Sequence, residues 1–314
     1  MPFLNIFTSI RGNKPCADLK DYRPREKETM AELMGKVAVV TDSTSSLTQA
    51  MGQEYGVHVL PVYLAFGAQS YRDGVDLGAE QFYRLLRGSK QLPTTSQPTV
   101  ADFVQVYKAL SEQAEAIVSI HLSQKMSATL DSARAAVKEL PDLPIHVIDS
   151  RSTSMGLGLM AIAAARAAAA GQDAAEVVQL VEGLIPKMNL IFTVQTLEYL
   201  HKGGRIGGAS ALLGIALSIK PVLYVKDGQI EPLEKPRTRK RAVERVLNRM
   251  AERVGSHETV HAAVLHCAAP GEAQALAEQV AARFHCMELL TAEAGPIIGT
   301  HAGPGTLGVA FYTD

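Results

Sequence analysis

Three consecutive hydroxyl side chains, Thr94-Thr95-Ser96, sit between Pro93 and Pro98, just ahead of a stretch with helical spacing. Hydroxyls grouped with the free N–H groups of a helix start form a receptor for an anion such as a carboxylate or phosphate. The prolines disfavour helix and stiffen the segment as a turn. A plainer reading is that Ser96 or Thr99 simply caps the helix that follows. A second polar stretch, residues 122–129, follows the apolar run 116–121, and there Ser127 precedes another helical pattern. Capping is the plain reading for Ser127 too. Loops that follow neighbouring strands of a parallel sheet lie along one edge, where Thr95 and Ser127 can share a crevice with Asp42-Ser43-Thr44. Near the C-terminus, glycines at 299, 303, 305 and 308 surround His301. Glycines permit close backbone approach, and an imidazole there can donate to a ligand oxygen or exchange a proton with it. The alternative is a turn in which His301 is a bystander.

Other constellations point away from self-sufficient catalysis. Asp42 after a strand resembles a phosphotransferase nucleophile, but Thr44 occupies the second position of the Asp-x-Asp pattern, and no Gly-x-Ser-x-Gly elbow occurs. Residues 201–208 are rich in glycine yet lack both the GxGxxG order and the GK[ST] ending of a nucleotide loop. Arg205, set among those glycines, is either presented to a partner or paired with an internal carboxylate. His261, His266, Cys267, His285 and Cys286 match no recognised metal-ligand spacing. The basic run 235–241 leads into an amphipathic helix over 242–254. It reads as a solvated helix entry, or as a docking patch for an acidic protein or an anionic bilayer surface.

The frame behind these residues reads as two-domain α/β. A chain of 314 residues exceeds the usual size of one core, and 47% apolar with 20% charged residues is a globular balance. A formal net charge of −1 argues against nucleic acid as the main partner. Three cysteines without a CxxC fit a reducing cytoplasm. The alanine-rich stretch 157–170 is too short and too polar to span a bilayer, and is expected as a packed core helix. Residues 1–35 are expected as an N-terminal extension outside the core. From residue 36, strands at 36–41, 57–64, 116–121 and 145–148 alternate with helices at 47–55, 100–113 and 128–140, which implies a mostly parallel sheet covered on both faces. The boundary is placed after 153, where Thr153 or Ser154 caps the alanine-rich helix, giving domains 36–153 and 154–314. The second half, with strands at 190–194, 222–225, 229–232 and 259–266 and an Asp227-Gly228 hairpin turn, reads as α+β.

Taken together, Val40-Thr41-Asp42-Ser43-Thr44, Tyr71-Arg72-Asp73-Gly74, Pro93 to Pro98, Lys202-Gly203-Gly204-Arg205-Ile206 and Lys220-Pro221-Val222-Leu223 resemble the DegV family in order and spacing. The resemblance runs from about residue 36 to the C-terminus. It implies a carrier of one long-chain fatty acid, which serves as partner to a separate ATP-dependent fatty acid kinase and has no cofactor of its own. It also implies that Thr95 and Ser127 hold the carboxylate, with His301 beside it and Ser96 in the same loop, and that Arg205 lies on the face met by the kinase. The second hydroxyl loop reads Met126-Ser127-Ala128, where the family typically has Leu-Ser-Gly. A transient contact with an anionic membrane would suit such a carrier. The competing readings are an autonomous hydrolase or phosphotransferase built on Asp42, Ser43 and His301, and a regulatory lipid sensor.

Overall fold

The computed structural model describes residues 36–89, 91–255 and 259–313; the extension expected over residues 1–35 lies outside them. The first half runs β1 (Val37–Asp42), α1 (Gln49–Tyr55), β2 (Val57–Leu60), β3 (Tyr63–Phe66), β4 (Gln69–Arg72), α2 (Ala79–Gly88), β5 (Thr94–Ser96), α3 (Val100–Ser111), β6 (Ala116–His121), α4 (Thr129–Lys138) and β7 (Ile145–Asp149). The second half runs α5 (Ser154–Ala169), α6 (Ala174–Leu184), β8 (Asn189–Thr193), α7 (Glu198–Lys202), β9 (Val222–Lys226), β10 (Gln229–Glu234), α8 (Arg239–Arg253), β11 (Val260–His266), α9 (Pro270–Arg283), β12 (Cys286–Glu293), α10 (Pro296–Ala302) and β13 (Leu307–Thr313). Short 3-10 segments occupy Ser43–Ser45 and Gly207–Ser218.

Every residue of β1 is buried. Such a β-branched run suits a strand covered on both faces, and β1 is an inner strand of the parallel sheet β2-β1-β6-β7. The second sheet, β10-β9-β8-β13-β11-β12, is antiparallel except for the β11–β12 pair. Its β9–β10 hairpin closes through Asp227 and Gly228, both with positive φ (49° and 80°), as the twist of a two-residue hairpin loop requires.

Helix α5 packs between the two sheets, touching β1, β2 and β6 on one side and β8, β11 and β13 on the other. Its alanine and glycine content follows from that position. A Cβ at Gly158 would lie 2.7 Å from the Ser45 carbonyl oxygen, so only glycine lets the helix approach the end of β1. The largest apolar cluster accordingly draws on Val39 and Ile120 from one sheet and Leu265 and Ala310 from the other. Among the described residues no helix is long and apolar enough to cross a membrane.

Three local expectations differ from what is observed. The run 57–64 is two strands, not one. Pro61 has no N–H to give the ladder, the chain leaves the parallel sheet there, and β3 joins a separate antiparallel sheet β4-β3-β5. Residues 94–96 form strand β5, not a turn, with Thr95 opposite Leu64. The flanking prolines bar a helix across this stretch, and β-branched threonines prefer extended backbone. Neither Thr153 nor Ser154 caps α5 through its side chain; Ser154 instead shares a 2.9 Å hydroxyl contact with Ser46.

Candidate functional site

Strand β5 leaves Thr95 half-buried and aimed at α10, where its hydroxyl lies 2.9 Å from His301 Nε2. Ser96 is not the cap of the next helix. Thr99 caps α3 through a reciprocal capping box with Asp102, which leaves Ser96 on the wall of the adjoining cavity. Ser127 serves both readings at once. Its Oγ accepts from the Thr129 N–H at 3.2 Å and meets the Thr129 hydroxyl at 2.9 Å, while the residue also lines that cavity. Ala128 beside it has φ −81° and ψ 12°, so the backbone here makes no demand for glycine.

The cavity holds about 1060 Å³ of space unfilled by protein, its opening included. Thr95, Ser96, Ser127, Arg205 and His301 line it together with Thr44, and the rest of the wall is largely apolar: Val62, Leu122, Leu190, Phe192, Ile230 and Leu265 among others. Strands β8, β10 and β11 of the second sheet, strand β5, and the turns that follow β1, β2 and β6 therefore contribute. The polar residues are contiguous. Thr95 bonds His301, the Arg205 charge acts on His301, and Arg205 Nε donates to the carbonyl of Met126, next to Ser127.

Arg205 differs from expectation in its direction. Instead of standing out towards a partner, it lines the cavity and ties two loops together, donating to Met126 O at 3.0 Å and to Gly203 O at 2.7 Å. His301 is held on its other side by the glycine turn, since a Cβ at Gly203 would fall 2.3 Å from His301 Nδ1. That nitrogen is buried and has no hydrogen-bond partner. Burial, with the Arg205 charge beside it, pushes the imidazole down to about 4, so the ring is neutral at neutral pH. An unpaired buried N–H is rarer and costlier than an unpaired acceptor. Nε2 therefore carries the proton and donates to Thr95 Oγ1, which leaves the threonine O–H to point elsewhere.

Asp42 and Ser43 are not on the cavity wall. The Asp42 carboxylate accepts from Thr44 N–H (3.0 Å), the Thr44 hydroxyl, His121 Nδ1 (2.9 Å) and Leu122 N–H (3.2 Å). His121 Nε2 in turn meets Ser119 Oγ at 2.7 Å, and Ser119 accepts from Tyr107. This Asp–His–Ser chain has the order of a hydrolytic triad, yet all three members are buried with no exposure at all, and Phe103 closes edge-on over the His121 ring. Its evident work is to hold the turns after β1 and β6. Ser43 donates to Asp73 at 2.8 Å instead of facing His301. Among the described residues, no three His, Cys, Asp or Glu side chains converge as a metal site would require.

Several wall residues escape sequence reasoning. Phe192, Leu190 and Leu265 look like ordinary alternating strand positions, and nothing marks them as lining a cavity instead of filling a core. Thr44 is the exception: the sequence marks the polar turn after β1 and leaves open only which of its side chains reaches the cavity.

The model for the DegV family, described as an uncharacterised protein, matches residues 36–314. Protein DegV of Bacillus subtilis is 33% identical over 276 residues, which is 88% of this chain and 98% of that one. A DegV domain-containing protein of Deinococcus radiodurans is 38% identical over 275 residues, again 88% of this chain and 98% of its own. Among solved structures, a DegV family protein from Thermus thermophilus described as binding fatty acid superposes with a TM-score of 0.84 at 35% identity, covering 89% of this chain and all of that one. DegV from Bacillus subtilis, described as a fatty acid binding protein, gives a TM-score of 0.83 at 32% identity over 89% of this chain and all of its own. The chain belongs to the DegV family.

Proposed function

We propose that this chain encloses one long-chain fatty acid in the cavity between its two halves, with the carboxylate on Thr95 and Ser127, His301 beside them and Ser96 assisting. The observation that carries this reading is the contiguous polar group on an otherwise apolar wall. An acyl chain gains on the order of 0.8 kcal/mol per buried CH₂, so the apolar wall supplies affinity. The carboxylate then needs donors, because burying it unpaired is expensive. With Nε2 of His301 donating to Thr95, the threonine hydroxyl is free to donate to the acid. Relatives described as fatty acid binding, 32–35% identical and alike over nearly the whole fold, support the same ligand class.

The finer part of the proposal is that the bound acid is presented to a separate ATP-dependent fatty acid kinase. Its support is the family resemblance and a sequence with no nucleotide-binding motif. Arg205 then acts from inside, aligning the loop of Ser127, and not as a surface anchor. Exposed Leu213, Ile215 and Leu217 precede Lys220, whose N–H donates to Pro236 O at 2.7 Å at the start of the basic run 235–241. That pairing supports the transient contact with an anionic membrane surface. We also take the two large sheets to mark two lobes divided near 153/154. Extraction of the purified protein and lipid mass spectrometry tests the ligand. Stoichiometric long-chain fatty acid is expected, and finding none after attempted loading would overturn the proposal.

A further inference from the structure

The motif Tyr71-Arg72-Asp73-Gly74 contributes nothing to the cavity wall, yet it brings a carboxylate into the interior. Asp73 follows β4 and is 2% exposed. Its Oδ2 accepts from Ser43 Oγ at 2.8 Å, and Ser43 Oγ accepts from the Val62 N–H at 3.1 Å. The Asp73 N–H donates to Val62 O at 2.9 Å, so the carboxylate is locked to the bend between β2 and β3. On its other side it meets the start of α10. It accepts from the Ile297 N–H, and a Cβ at Gly295 would sit 2.8 Å from its Oδ1. Helix α10 begins with Gly295 and Pro296 and has no cap of its own, so Asp73 supplies from a distant segment the acceptor that its first turn lacks. Five residues further along the same short helix is His301, bonded to Thr95.

We propose that Asp73 is the positioning residue of the carboxylate site: by tying the first turn of α10 to Ser43 and Val62, it sets where His301 meets Thr95. A seven-residue helix is too short to hold its place through its own hydrogen bonds, so its anchor determines where its far end stands. Asp73 is also poised to report on pH. Burial raises its carboxyl to about 7 against the pull of the Ser43 and Ile297 hydrogen bonds, with Asp42 at the end of β1 adding to the rise. Tyr83 of α2 is the other titratable group whose charge couples to it.

The positioning role rests on the proposed fatty acid site only for its binding readout. Nitrogen-15 NMR of the histidine rings in the ligand-free full chain tests it independently, with His301 assigned through His301→Gln. Wild type should show His301 as one neutral tautomer, its shift moving with an inflection near pH 7. In Asp73→Asn the inflection should vanish and the ring signals move towards tautomer averaging. In parallel, palmitate dissociation should quicken about tenfold while hexadecanol, which lacks the carboxylate, stays within about twofold. A folded Asp73→Asn protein with unchanged His301 signals and unchanged palmitate release would overturn the proposal. Should that variant not fold, Ser43→Ala removes one of the same contacts and decides in its place: an unaltered His301 spectrum there overturns the proposal, and a displaced one supports it. Absence of palmitate binding by wild type would defeat the proposed function and leave the NMR outcome to judge Asp73.

Discussion

Thr95 and His301 share one hydrogen bond, and its direction decides whether the threonine O–H is left as a donor. A neutral ring that donates from Nε2 converts the threonine into an outward donor. The contact depends on Gly203, because any Cβ there would strike the far side of the ring. Gly203→Ala should therefore raise fatty acid dissociation about tenfold, equivalent to about 1.4 kcal/mol, as measured by stopped-flow release of a fluorescent acid. The imidazole also leaves a signature in stability. Its value falls from 6.5 to about 4 on folding, mainly through burial. The neutral form is thus favoured in the folded chain; the contribution is present above pH 6.5 and is lost as pH falls through about 4. The stability gap between wild type and His301→Gln, measured by urea unfolding, should narrow progressively over that window. Hydroxyl motifs mark Thr95 and Ser127 in the sequence as candidates, with capping as the alternative, and the structure places both on the cavity wall. The inward turn of Arg205 was not legible, because a glycine-flanked arginine carries no sign of which carbonyls it will find.

At the scale of elements, capping and ligand binding compete for the same residue types. The structure divides the work differently at each helix. Thr99 takes the cap of α3 and thereby releases Thr95 and Ser96 to the cavity. Thr99→Ala should cost about 1 kcal/mol of stability in chemical denaturation and leave fatty acid retention unchanged; a large loss of retention would mean that the cap and the site are not separable. Strong apolar runs such as β1, β6 and β11 were legible, as were α5 and the Asp227-Gly228 hairpin. The β4-β3-β5 sheet was not. Gln69-Ser70-Tyr71-Arg72 is largely exposed and polar, so it carries no alternation for the eye to follow, and β5 is short enough to pass for a turn between prolines.

Across the whole molecule, the cavity exists because the turns after β1, β2 and β6, with strand β5, close on strands β8, β10 and β11 of the second sheet. Neither half alone shows in its sequence where the interior is left unfilled. Wall residues such as Phe192 and Leu265 obey the same burial pattern as residues packed without a gap, so the alternation that reveals a strand cannot reveal a pocket. A ligand that fills such a space binds only the folded chain, and its binding adds to stability by mass action. Delipidated protein should gain about 2.7 kcal/mol when a long-chain fatty acid is supplied at one hundred times its dissociation constant, read as a rise in melting temperature. An alcohol of equal length at the same concentration should raise it less, because the donors at Thr95 and Ser127 then face no carboxylate. The measurement that bears most directly on the carboxylate site is the lipid mass spectrum of the protein as purified, set beside that of the double variant Thr95→Ala, Ser127→Ala. About one long-chain fatty acid per wild-type chain and its near-complete loss from the folded variant is the predicted result; equal retention by both would contradict the assignment of the carboxylate to those hydroxyls.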